Sequence, residues 1–284
     1  MKVTLKEILA DAVKNNYAIG GFDTMGYVFT DAIIRAGEAT NTPIIMMIPD
    51  FLLISEQADE LFSYINFRIG RTPIPVALHL DHGGSYDMAA KAIKYGFSSV
   101  MFDGSCLPLE ENIAQTREIS RMAHAAGVSI EAELGHVGGG GGSLEAAEVA
   151  THLYTDPDEA VRFVLETQVD ALAVAIGTVH GKYKGTPKLD LERLDAIRSK
   201  VDIPLVMHGG SGLTPDAFRS AIAHGINKVN FFTGMSLAAT DGALKAVADN
   251  GGSMHFFEMI AAGQKCAEDV IKEHIGIFGT KPLK

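Results

Sequence analysis

The chain reads as an α/β protein, a single β/α (TIM) barrel of eight parallel strands with a C-terminal helical extension. Three observations lead there. Eight short apolar or β-branched runs alternate with longer segments of helical period. Ionisable and polar residues gather at the C-terminal ends of those runs, the end at which the loops of a β/α barrel converge. No linker or low-complexity stretch divides the 284 residues, apart from one run of glycines, so residues 1–284 are expected to form one domain.

The runs follow one another along the chain with helical segments between them. Ala18 to Phe22 precedes a helical pattern from Thr30 to Ala39, and Pro43 to Ile48 forms the second strand. Val76 to Leu80 leads to a helix over Asp87 to Tyr95, and Ser99 to Phe102 to one over Glu110 to Ala125. Ser129 to Leu134 runs into the glycines Gly138 to Gly142, after which Pro157 to Thr167 is helical. Ala171 to Ile176 is followed by a helix over Leu191 to Ser199, and Pro204 to Met207 by one over Pro215 to His224. In that last helix Thr214 is placed to cap and Pro215 to occupy the first turn. Lys228 to Phe231 is the eighth strand. A final amphipathic helix over Phe256 to Phe278 offers Phe256, Met259, Ile260, Val270 and Ile271 for burial, against the barrel or against another subunit. A doubly wound open sheet is the alternative, because alternation of strands and helices does not show closure.

Composition restricts the partners. A formal net charge of −11 and the lack of a basic patch argue against nucleic acid and against an anionic membrane. Cys106 and Cys266 are too few and too far apart for a disulfide framework. Met1 to Glu7 has no signal-peptide core, and no apolar run approaches membrane-spanning length. A cytoplasmic location is expected.

His82, His180 and His208 each lie just past a strand run, and each is followed by glycine. Three histidines from three different strands lack the local spacing of a structural zinc site. They match the form of a catalytic zinc, three protein ligands with one position left open. Asp23, Asp81, Asp103, Glu133 and Asn230 also fall at or just past strand ends. His79, earlier in the third strand, reads as a core histidine. Gly209, Gly210, Ser211 and Gly212 follow the seventh strand, and Asn230 to Gly234 close the eighth. Loops after strands seven and eight form the recurring phosphate site of β/α barrels. Gly181 and Lys182 would add a backbone N–H and a positive charge. Tight turns are the plainer reading of the same glycines.

Six ordered segments resemble the class II, zinc-dependent ketose-bisphosphate aldolases, which include fructose- and tagatose-bisphosphate aldolases. They are Leu78-His-Leu-Asp-His-Gly83, Ser99-Val-Met-Phe-Asp-Gly-Ser105, Glu131-Ala-Glu-Leu-Gly135, Ala175-Ile-Gly-Thr-Val-His-Gly181, His208-Gly-Gly-Ser-Gly212 and Lys228-Val-Asn230 with Thr233. The resemblance implies that His82, His180 and His208 bind one catalytic Zn2+ and that Asp81 is the acid/base at the hydroxyl of the cleaved bond. It implies a second or alternative metal site at Asp103 and Glu133. Dihydroxyacetone phosphate would be held by Gly181, Lys182, Gly209, Ser211, Asn230 and Thr233, with a monovalent cation near the phosphate. The substrate implied is a small sugar phosphate, and the implied assembly is a homodimer or homotetramer. Cleavage between the third and fourth ketose carbons leaves an enediolate, whose charge a zinc ion would stabilise without a Schiff-base lysine. Lysines are missing from the strand interiors except Lys228.

The departures from the family pattern are local. Where most members carry an acidic loop with a proton-transferring glutamate, this chain reads Gly140-Gly141-Gly142-Ser143, and His136, Glu145 and Glu148 are the candidates to replace it. A positioned base contributes roughly 10²- to 10⁴-fold, so its loss would be conspicuous. Asp23 stands where asparagine is usual and Ile48-Pro49 where a serine is common. His255-Phe256-Phe257 stand where many members have an arginine for the second phosphate, and Phe232 is bulkier than its usual counterpart. The donor half is thus intact and the acceptor half altered. Two other classes share these features. One is a metal-dependent sugar epimerase, separated by product analysis, and the other is a non-catalytic partner subunit.

Overall fold

A computed structural model describes residues 1–139, 146–147, 153–183 and 187–284. Helix α1 (Leu5–Asn15) opens the chain, its start fixed by a capping box in which Thr4 and Glu7 satisfy each other's backbone N–H groups. There follow β1 (Ile19–Asp23), α2 (Tyr27–Thr40), β2 (Ile44–Pro49), a 3₁₀ turn at Asp50–Ile54, and α3 (Ala58–Arg71). Next come β3 (Val76–Gly83), α4 (Tyr86–Lys94), β4 (Ser99–Phe102), α5 (Leu109–Ala125) and β5 (Ser129–Leu134). The second half holds β6 (Ala146–Ala147), α6 (Pro157–Thr167), β7 (Ala171–Val174), β8 (Lys182–Tyr183), α7 (Leu191–Arg198), β9 (Leu205–Met207), α8 (Pro215–Ala223) and β10 (Ile226–Asn230). Helices α9 (Thr233–Asp249) and α10 (Phe256–Ile277) close the chain.

The barrel order is β1, β2, β3, β4, β5, β7, β9, β10 and back to β1, every pair parallel. Ile19 pairs with Lys228, which closes the ring and removes the open-sheet alternative. The two short strands β6 and β8 pair with each other outside the ring.

Alternation along the strands divides the core. Ile19, Ile45, Met47, Ala77, Ala171, Ala173 and Val206 cluster with Leu5, Ile8, Leu9 and Ala12 of α1, so this helix plugs one end of the barrel. The other strand residues pack with the surrounding helices in a larger cluster that includes Phe22, Phe62, Phe102, Phe163 and Phe218. By the same alternation Asp23, Asp81, Glu131, Glu133, Lys228 and Asn230 share the inward face with the smaller cluster. Their charged and polar groups therefore gather inside the ring and at the C-terminal ends of its strands.

The C-terminal extension covers the barrel flank. Helix α10 packs on α9, α2 and β1 through Gly263, Ala267, Ile271 and Ile275. Glycine at 263 brings it against the carbonyl of Ala239, closer than a side chain would permit. Phe256, expected in the buried stripe, is 72% exposed in the first turn. Among the described residues no helix is long and apolar enough to cross a membrane.

Candidate active site

The end of β3 sets the geometry of the site. In a regular strand Asp81 and His82 would face opposite sides, yet both line the same cleft. A register shift between Leu80 and Gly83 accounts for this, with His82 in the left-handed region at φ 49°. Such a conformation costs a non-glycine residue on the order of 1–3 kcal/mol and persists only when the surroundings hold it. Two bonds do so. His82 donates from Nδ1 to Asp103 Oδ2 at 2.7 Å, and the Asp103 backbone N–H donates to Gly83 O at 3.0 Å.

His180, after β7, and His208, after β9, complete a triangle of rings with centroid separations of 4.8, 4.8 and 5.7 Å. One ligand atom from each lies within 4.8 Å of the others, and His82, Asp103 and Glu133 form a second such group. His208 donates from Nε2 to Glu131 Oε1 at 2.9 Å, which leaves its buried Nδ1 without a hydrogen-bond partner. That nitrogen lies 3.3 Å from Glu133 Oε2, likewise unpartnered. The Nε2 atoms of His82 and His180 face each other at 3.2 Å. A cation would satisfy the unpartnered His208 Nδ1 and Glu133 Oε2 and would replace the contact between the other two rings. The outer nitrogens of two rings are already fixed by carboxylates, the usual support for metal-binding histidines.

Electrostatics point the same way. Burial would lower the pKa of His82, but the carboxylates of Asp81, Asp103 and Glu133 outweigh it and bring the value to about 10. Burial, followed by the charges of His82 and His208, pushes His180 down to about 4, so that ring is neutral. Burial opposes protonation of His208 too, yet Glu131 and Glu133 raise it to about 8. The pocket therefore attracts positive charge, and its histidine nitrogens and carboxylate oxygens suit a zinc-type ion.

Asp81 Oδ1 accepts a 2.9 Å hydrogen bond from Asn230 Nδ2. Burial favours its neutral form, but His82, His208 and Lys228 hold its pKa below the usual carboxylate value. Asp23, buried nearby with Oδ1 unpartnered, is shifted upward by burial and then by the charge of Asp81. Beneath them, fully buried Lys228 donates to Glu131 Oε2 at 2.8 Å. His79 is fully buried and paired with Ser99 Oγ at 2.8 Å. Glu131 was not singled out from the sequence as part of the site. The signal was present, an ionisable residue inside an apolar strand run, two positions before Glu133.

The cleft, of about 310 Å³, is lined by Asp81, His82, Asp103, His180, Gly181, Gly209, Ser211, Asn230 and Thr233, all anticipated from the sequence. His208 and Glu133 are buried and are not among the lining residues, but both lie against His82, which is. Of Lys182 the structure describes the backbone, in β8, and Glu145 and Glu148 lie outside the described residues. Helix α9 starts at Thr233 without a cap from its own N-cap side chain, so its first-turn N–H groups other than that of Gly234 are available to an anion. Ser211 Oγ accepts from the Gly234 N–H at 3.3 Å, which joins the two loops at that point. Tyr183, not singled out from the sequence, donates from its hydroxyl to Gly209 O at 2.6 Å. Gly209 has φ 69°, and a Cβ there would collide with the carbonyl oxygen of Val179. Gly209→Ala is expected to cost about 1–3 kcal/mol of stability and to raise KM for a phosphorylated substrate. Chemical denaturation and steady-state kinetics on one preparation check both.

The family model described as "Fructose-bisphosphate aldolase class-II" matches residues 3–282. A 6-phospho-5-dehydro-2-deoxy-D-gluconate aldolase of Bacillus subtilis is 39% identical, covering 98% of this chain and 96% of its own. A fructose-bisphosphate aldolase of Staphylococcus aureus is 37% identical, with 98% and 97% covered. Among solved structures, the YdjI aldolase of Escherichia coli K12 superposes with a TM-score of 0.86 at 31% identity, over 99% of this chain and 98% of that one. This chain belongs to the class II fructose-bisphosphate aldolase family and is a carbon–carbon lyase.

Proposed function

We infer that the chain reversibly cleaves a ketose 1-phosphate, or a 1,6-bisphosphate, to dihydroxyacetone phosphate and an aldehyde. One observation carries this reading. Three histidines converge at a cleft that also holds an ionised Asp81 and the start of α9. Zinc held by His82, His180 and His208 would supply the positive charge that a ketone oxygen needs while an enediolate develops. Asp103 and Glu133, with His82, provide a second position for an ion. Asp81 takes the proton of the hydroxyl at the cleaved bond and returns it in condensation, and Asn230 holds its other oxygen still. Backbone N–H groups at Gly181, Gly209 and the start of α9, with Ser211, Thr233 and Lys182, hold the donor phosphate beside a monovalent cation. Removing the metal with a chelator is expected to abolish cleavage and adding zinc to restore it, measured as release of dihydroxyacetone phosphate.

The other end of the cleft is different in kind. Met25, Pro49, Phe51 and Phe232 line it with Asp23 and Asp50, and no lysine or arginine is among the described lining residues. His255, Phe256 and Phe257 are absent from that lining, and the two phenylalanines are exposed. A second phosphate would meet carboxylates there rather than cations, so the aldehyde need not be glyceraldehyde 3-phosphate. The two named relatives carry different substrates in their names, which is consistent with a variable acceptor side. The test is kcat/KM for fructose 1,6-bisphosphate against a panel of ketose 1-phosphates and 6-phospho-5-dehydro-2-deoxy-D-gluconate, with the aldehyde trapped as product. A lower value for the bisphosphate than for another substrate is expected. A clear preference for it would overturn the acceptor assignment. A homo-oligomer in the cytoplasm is the setting we propose.

A further inference from the structure

We propose that His136 moves the proton at the enediolate carbon of dihydroxyacetone phosphate, held for that task by Ser105 and Asp103. This rests on the aldolase reading above. An aldol cleavage leaves a carbon that must be protonated before the ketone can leave, and condensation must first deprotonate it. Asp81 serves the hydroxyl on the other fragment, so a second group is required.

Among the described residues the cleft offers few candidates. Both oxygens of Asp103 are engaged, Oδ2 by His82 at 2.7 Å and Oδ1 by Ser105 Oγ at 2.6 Å. Asp23 and Asp50 stand at the ends of β1 and β2, among the acceptor-side residues. His136 follows β5, whose neighbour in the ring is β7, and the β7 loop carries His180 and Gly181. It lines the cleft, beside the loop that carries Gly181. The two segments are tied directly, since the His180 N–H donates to Gly138 O at 2.8 Å and Gly138 forms a parallel bridge with Val179.

Its placement is fixed at the backbone and at the ring. The His136 N–H donates to Leu153 O at 2.8 Å, and the next N–H, of Val137, donates to Glu133 Oε1 at 2.9 Å. On the ring, Ser105 Oγ lies 2.8 Å from Nδ1, with Cys106 Sγ farther off at 3.6 Å. Because Ser105 spends its hydroxyl proton on Asp103, its oxygen accepts from His136 Nδ1–H. That selects the tautomer and leaves Nε2 as the nitrogen available to the cleft. In cleavage, Nε2–H gives its proton to the enediolate carbon, the enediolate electron pair forms the C–H bond, and a neutral ring remains. In condensation Nε2 removes the same proton and the C–H pair returns to the enediolate. Asp103 thus connects the proton-transfer group to His82 through two hydrogen bonds on one side and one on the other.

The test is hydrogen exchange at the hydroxymethyl carbon of dihydroxyacetone phosphate in deuterium oxide, followed by NMR with zinc-loaded protein. His136→Ala and His136→Gln are expected to slow exchange by roughly 10²-fold or more. Free imidazole should restore part of it in the alanine variant, with zinc content unchanged in both. Independently of turnover, long-range proton–nitrogen spectra of the labelled protein should show His136 as the Nδ1–H tautomer, with that preference lost in Ser105→Ala. Wild-type exchange in both His136 variants would overturn the proposal and leave the aldolase reading standing. Loss of zinc in step with loss of exchange would overturn it in favour of metal support. No exchange in the wild-type protein would overturn this proposal together with the reading beneath it.

Discussion

Asp81→Asn is expected to lower kcat for cleavage by roughly 10²- to 10⁴-fold with zinc still bound. The asparagine matches the carboxylate in shape, and its amide oxygen can still accept from Asn230 Nδ2, now 2.9 Å from Asp81 Oδ1. What disappears is the ability to take a proton. The ionised state of Asp81 is maintained by the positive neighbours His82, His208 and Lys228 against the effect of burial, an arrangement that serves a base better than a structural hydrogen bond. The variant also separates the two halves of the reaction. In the proposed reaction Asp81 acts on the hydroxyl of the aldehyde fragment, so exchange of the hydroxymethyl hydrogen of dihydroxyacetone phosphate should survive its loss. Cleavage rate, exchange rate and zinc content measured together decide the matter. Equal loss of exchange and cleavage would show that Asp81 acts on the donor, and unchanged cleavage would remove it from the chemistry.

The contrast between Asp81 and His82 shows how far a sequence of this kind can be read. Both were legible as candidate site residues because they end an apolar run, and the barrel was legible because such endings recur at seven of the eight runs. The left-handed His82 and the register shift beside it were not legible, since neither residue type announces a bulge. Without that bulge the two side chains would diverge. Helix α1 was readable in principle through Thr4 and Glu7, which form its capping box, but its role as a plug depends on strand residues far away in sequence. The same holds for Glu131. A charge inside an apolar run marks something unusual, and only the closed ring reveals that Lys228 on β10 reaches it from a strand three places away.

Lys228→Met is expected to destabilise the fold by about 3–5 kcal/mol, because it leaves Glu131 as a buried charge short of its main partner. Both side chains are fully buried. Burial would raise the pKa of Glu131, yet Lys228, then His79 and His208, hold it far below the carboxylate range. For a chain of this size the loss corresponds to a fall in Tm on the order of 10 °C. A second effect should appear at the metal. Glu131 Oε1 accepts the Nε2–H of His208 at 2.9 Å, and a carboxylate that swings or takes up a proton will hold that ring less firmly. Loss of such outer support lowers metal affinity by roughly 10- to 100-fold. The double variant Lys228→Met with Glu131→Gln removes the stranded charge, so it should recover much of the stability and little of the zinc affinity. Denaturation of the metal-free proteins reads the first quantity, and competition with a chelator of known affinity reads the second. A single variant as stable as wild type would mean that the Lys228–Glu131 pair contributes nothing net. Equal recovery of stability and zinc affinity in the double variant would mean that Glu131 does not position His208.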